Sequence, residues 1–98
     1  MNILGQQYRI LLCKEITSDN HESLEGECDT EEHVIRVVRD LPKHRQYQVL
    51  LHEVIHALAD RLKLQNVGIS ADIEEILCET IAITVAENFE MELKVGKE

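Results

Sequence analysis

The run Asp40-Leu41-Pro42-Lys43-His44-Arg45-Gln46-Tyr47-Gln48-Val49-Leu50-Leu51-His52-Glu53-Val54-Ile55-His56-Ala57-Leu58-Ala59-Asp60-Arg61-Leu62 sets the frame for the rest of this 98-residue chain. Asp40 offers a side-chain acceptor to free backbone N–H groups, and Pro42 suits a first helical turn, where its missing N–H is not needed. Tyr47, Leu50, Leu51, Val54, Leu58 and Leu62 then recur at three- and four-residue steps, which predicts a helix from about 43 to about 62.

His52 and His56 stand four apart on that helix, so their imidazoles leave one face and can reach one metal ion. Glu53 follows His52 and lies about 100° round the helix, where it can address a water on that ion rather than the ion itself. The pattern is His-Glu-x-x-His, in which zinc makes a bound water acidic and the carboxylate takes its proton.

Upstream, residues 7–16 are rich in strand formers and predict a first strand. The polar residues 17–27 read as a connection leading to a short strand at Glu25 to Asp29. Asp29-Thr30-Glu31-Glu32 breaks the pattern before His33-Val34-Ile35-Arg36-Val37-Val38 resumes it, so these two strands are expected to form a hairpin. Downstream, Ser70 or Asp72 can cap a second helix from about 73 to about 93. Its apolar residues, among them Ile73, Ile76, Leu77, Ile81, Ile83, Val85, Ala86 and Phe89, cover most of its circumference and predict a largely buried helix. The tail Lys94 to Glu98 carries no pattern and is expected to fray.

A catalytic zinc normally takes three protein ligands, and no histidine follows His56. The third ligand is therefore expected from Glu74, Glu75 or Glu79. Glu79 has Ile76, Ala82, Ile83 and Ala86 around it and is expected to face the interior, where an unpaired carboxylate is costly. It is the favoured ligand, Glu75 is the alternative, and the other of the two is expected to orient an imidazole. Glu74 is expected to point elsewhere.

Leu50-Leu51-His52-Glu53-Val54-Ile55-His56-Ala57-Leu58 resembles the active-site helix of zincin metallopeptidases, and Glu79-Thr80-Ile81-Ala82 resembles the segment supplying the glutamate ligand in compact gluzincins of the ImmA/IrrE type. With the hairpin from Gly26 and the Val-Ile-Arg-Val strand, the resemblance spans roughly residues 26–89. It implies an α+β, minimal zincin-like fold in one domain, with a small twisted antiparallel or mixed sheet (strands within about 7–39) against the motif helix and the second helix. It also implies one Zn2+ per chain held by His52, His56 and Glu79, Glu53 as catalytic base, and a protein or peptide substrate, such as a repressor cleaved in phage regulation. No Asn-Glu-x-x-x-Asp segment of the thermolysin kind is present. Tyr47 and His44 are oxyanion-donor candidates only by lying one to two turns upstream. A zincin-fold protein that binds zinc and a partner without turnover is the alternative.

Composition narrows the rest. A formal net charge of −9 disfavours direct nucleic-acid binding. Aromatic residues make up only 3%, so the core is expected to be aliphatic. Three cysteines without C-x-x-C spacing suit neither a disulfide framework nor a cysteine zinc site and point to a reducing cytoplasm. No apolar run nears the roughly 18 residues of a membrane span, and no export signal is legible. Cys28 and Cys78 read as small hydrophobes. His21, His33 and His44 lack partners at ligand spacing, although His33 could border the cleft. The acidic stretch from Glu22 to Glu32 lacks the residue ladder of a calcium loop and reads as a solvated face.

Overall fold

The computed structural model describes residues 1–89 and the backbone of residues 96–97. Its architecture is α+β: three small sheets and two long helices. The chain opens with a tight hairpin, β1 (Asn2–Ile3) and β2 (Gln6–Gln7), whose two loop residues, Leu4 and Gly5, both have positive φ. That backbone matches the twist of paired strands, at some cost for leucine.

Strand β3 (Arg9–Cys13) follows, then a second minimal hairpin of β4 (Ile16–Thr17) and β5 (Ser23–Leu24) inside the expected polar connection. Strands β6 (Gly26–Asp29) and β7 (Val34–Val38) form the expected antiparallel hairpin, with Gly26 opposite Val37 and Asp29 opposite Val34. At its turn, Asp29 Oδ1 accepts hydrogen bonds from the N–H groups of Glu31 and Glu32 at 3.0 and 2.9 Å. Asp29 is thus a local turn former.

The main sheet is mixed, in the order β6-β7-β3-β8, where β8 is Gly96–Lys97. β3 runs parallel to β7, pairing Arg9 with Val34 through Cys13 with Val38. β8 pairs with Leu11 and Leu12, so residues 96–97 of the tail are in register with the sheet rather than frayed. The other residues of the tail lie outside the described part.

The helix α1 (Lys43–Leu62) has the bounds expected from its periodicity, but it starts differently. Pro42 is the residue at its N-terminus and no side chain caps it, while Asp40 instead sits 3.6 Å from Arg39. The expected Asp40 cap is thus corrected: Pro42 and Leu41 intervene between Asp40 and the first helical turn. α1 packs across β6 and β7 and ends at Lys63, whose φ is +52. Its Val49, Leu50 and Ala57 join Ile3, Tyr8, Ile10, Ile35 and Val37 in the core. That core is aliphatic save for Tyr8, which is wholly buried and meets the His33 ring edge-on at 5.4 Å between centroids. His33 is therefore occupied at the sheet.

A 3-10 turn (Leu64–Val67) and Gly68, with φ +95, lead into α2 (Ala71–Asn88). Ser70 caps it, its Oγ accepting from Ile73 N–H at 3.2 Å. Residues 90–93 of the expected second helix lie outside the described residues. The expectation of a largely buried helix is corrected: only Cys78 and Ala82 are buried, and Ile73, Ile76, Leu77 and Ile81 are exposed. Among the described residues α2 has one neighbour of consequence, α1, which covers one of its faces. Among the described residues no helix is long and apolar enough to cross a membrane.

Candidate metal centre

The one buried charged side chain among the described residues is Glu53, 9% exposed. It sits on α1 under β6, where the chain makes its closest approach: a Cβ on Gly26 would come within 2.5 Å of Val49 Cγ1 and 3.3 Å of Glu53 Cγ. A glycine at 26 therefore lets the edge strand lie down against the carboxylate. Burial raises the Glu53 pKa, the positive character of His52 and His56 opposes the rise, and the carboxylates of Glu75 and Glu27 add to it. Such a group holds or releases a proton more readily near neutrality than an exposed glutamate does.

Beside Glu53, the helical spacing of four brings the two imidazoles together, with ring centroids 4.9 Å apart. His52 Nε2 and His56 Nε2 lie 3.2 Å from each other. The Glu75 carboxylate reaches both, Oε1 at 2.8 Å from His52 Nε2 and Oε2 at 2.9 Å from His56 Nε2. Ligand atoms about 2.0–2.1 Å from a tetrahedral ion lie roughly 3.3 Å apart, so these three donors need little adjustment to share one. His52, His56 and Glu75 are thus close enough to hold a metal ion.

The outer nitrogens of both rings are held as well. His52 Nδ1 is 2.7 Å from Glu79 Oε2, and His56 Nδ1 is 2.7 Å from Glu74 Oε2. A carboxylate on the far nitrogen keeps the proton there and leaves Nε2 with its lone pair for a metal. Burial disfavours a charged His56 ring, but the Glu74 hydrogen bond and the carboxylates of Glu53 and Glu75 outweigh it, and the pKa is raised.

The structure accordingly distributes the acidic residues of α2 differently from the expectation. Glu75 stands at the paired Nε2 atoms, where Glu79 was expected, and Glu79 backs His52. Glu74, expected to point elsewhere, backs His56 and is the most enclosed of the three, its side chain 16% exposed against 41% for Glu79 and 59% for Glu75. Cys78, buried one turn beyond Glu74, completes a second close group with His56 and Glu74. Burial, with the nearby Glu74 and Glu75 carboxylates, pushes its thiol up to about 12.

Two clefts border the centre, with Glu53 in the wall of both. A cavity of about 560 Å³ is bordered by Glu27, Glu53, His56, Asp60, Lys63 and Glu74. A smaller one of about 180 Å³ is bordered by Leu24, Arg45, His52, Glu53, Glu75 and Glu79. His44 and Tyr47 border neither. His44 Nε2 pairs with Gln48 Nε2 at 3.2 Å, and the Tyr47 hydroxyl is buried without a hydrogen-bond partner among the described residues. Sequence reasoning missed Arg45, whose NH1 lies 3.4 Å from Glu79 Oε1.

Comparison with protein-family models, with curated proteins and with solved structures finds no match to this chain.

Proposed function

We propose that this chain is a zinc-dependent metallopeptidase, with one zinc held by His52 Nε2, His56 Nε2 and the Glu75 carboxylate. The observation that carries this reading is the convergence of those three donors beside a buried Glu53 that borders two clefts. Zinc in such a site supplies a water made acidic towards a pKa of about 7 and a Lewis acid for a carbonyl. Glu53 takes a proton from the attacking water and passes it to the leaving amine. Glu79 and Glu74 keep the imidazoles oriented. An extended peptide lies along the clefts, with its scissile carbonyl beside Glu53. A regulatory protein is the proposed substrate class and the cytoplasm the proposed setting, where Cys28 and Cys78 persist as thiols.

Glu53→Gln tests the assignment. Zinc content is expected to match that of the unaltered protein, while cleavage of an unfolded casein substrate falls by about 10²-fold or more. Undiminished cleavage in the variant contradicts the mechanism.

A second reading, a zinc-binding interaction protein without turnover, is favoured by one observation: neither Tyr47 nor His44 borders the clefts to stabilise an oxyanion. Zinc binding at one per chain with no cleavage of casein selects it.

A further inference from the structure

Glu79 stands on the sparsely covered helix, half exposed, yet it must hold one orientation to serve His52. Both of its oxygens are engaged: Oε2 meets His52 Nδ1 at 2.7 Å, and Oε1 meets Arg45 NH1 at 3.4 Å. Arg45 is itself tied down. Its Nε and NH2 donate to the two carboxylate oxygens of Glu25 at 3.2 and 2.8 Å, a two-pronged pairing, and NH1 also donates to Gln48 at 3.1 Å. Glu25 lies between β5 and β6, at the rim of the sheet. A continuous run of charged contacts, Glu25 to Arg45 to Glu79 to His52, therefore joins sheet, α1, α2 and the imidazole.

We propose that Arg45 is a positioning residue, which holds the Glu79 carboxylate against His52 Nδ1 so that Nε2 of that ring faces Glu75. The inference rests on the metal site proposed above. The two-pronged pair with Glu25 can add some stability, but the half-exposed 3.4 Å contact to Glu79 adds little, so stability does not explain that contact. Orientation does: a glutamate side chain on a one-sided helix is otherwise free to turn to solvent, and the planar guanidinium, locked by its fork on Glu25, presents NH1 to Glu79 in a fixed direction that a lysine ammonium does not have.

Two effects of Arg45 on metal affinity have opposite sign. A cation near the site repels a divalent metal, so charge alone predicts tighter zinc binding when Arg45 is removed. Positioning predicts weaker binding, of the size seen when partners of metal-binding histidines are lost.

Zinc affinity, measured by competition with a chromophoric chelator, separates the two. The comparison takes the full chain, Arg45→Gln, Arg45→Lys, Glu79→Gln and the Arg45→Gln/Glu79→Gln pair. Both Arg45 variants are expected to bind zinc about tenfold more weakly, and the pair no more weakly than Glu79→Gln alone, because Arg45 acts through Glu79. In the metal-free protein, proton NMR is expected to show a hydrogen-bonded His52 Nδ1 proton that Arg45→Gln loses while circular dichroism is unchanged. Equal or tighter zinc binding by Arg45→Gln overturns the proposal, as does an undisturbed Nδ1 proton. If the unaltered chain binds no zinc, the proposed function fails, and the Nδ1 proton alone decides the role of Arg45.

Discussion

The two long helices share the site but not their circumstances. α1 is enclosed, with the sheet on one side and α2 on the other, and it buries Val49, Leu50, Glu53, Ala57 and Ala59. Among the described residues α2 is covered mainly by α1, and it buries only Cys78 and Ala82. The histidines and Glu53 thus ride on the enclosed element, whereas Glu74, Glu75 and Glu79 come from the element with less cover. A metal bridging His52, His56 and Glu75 would pin the second helix to the first, so metal binding and the docking of α2 are coupled. The contrast also explains the outer carboxylates: with Glu79 at His52 and Glu74 at His56, α2 is registered against α1 by polar contacts where apolar burial is scarce.

The contrast can be sharpened by substitution. Leu50→Ala, on the covered face of α1, is expected to lower the unfolding free energy by about 3 kcal/mol through lost burial and a residual cavity. Ile76→Ala, at a position 64% exposed on α2, is expected to change it by less than about 0.5 kcal/mol. Urea denaturation of both variants measures this, and equal losses would mean that α2 is buried in solution as deeply as α1.

Between these in size comes a response to alkali, which draws on a thiol from each region. Burial pushes Cys28 on β6 and Cys78 on α2 up to about 12 in the folded protein. An unfolded thiol ionises near pH 8.5, so the folded state retains protons that the unfolded state gives up. The stability is therefore present in full below that pH and is lost as the pH rises towards 12. From pH 8.5 to 9.5 each thiol is expected to remove about 1 kcal/mol. Unfolding free energies across that range check it, and the Cys78→Ala variant is expected to show a shallower decline.

How far this was legible in the sequence differs between the same two helices. In α1 polar residues alternate with Tyr47, Leu50, Leu51, Val54, Leu58 and Leu62, so the bounds and the facing of His52 and His56 follow from the period. In α2 apolar residues lie all round, so no period chooses a face. Turning the helix by one residue exchanges Glu74 for Glu75, and the packing of Cys78 and Ala82 against α1 makes the choice. Glu79 was expected where Glu75 lies because the two stand one turn apart on nearly the same face, and the period does not say how far α2 is slid along α1. Strands β3, β6 and β7 were readable as segments, and β6 with β7 as a hairpin. The parallel pairing of β3 with β7 was not, because local composition carries no record of which distant strand lies alongside. Arg45 and Glu25 pair across 20 positions, with no periodicity to announce the contact.

The central claim, that Glu75 joins the histidines while Glu79 supports one of them, is tested most directly by zinc titration of the unaltered chain, Glu75→Gln and Glu79→Gln. One zinc per chain is predicted for the unaltered protein. Affinity is predicted to fall by more than about 100-fold in Glu75→Gln and by only about tenfold in Glu79→Gln. The reverse order, or a folded chain that takes up no zinc, would contradict the account.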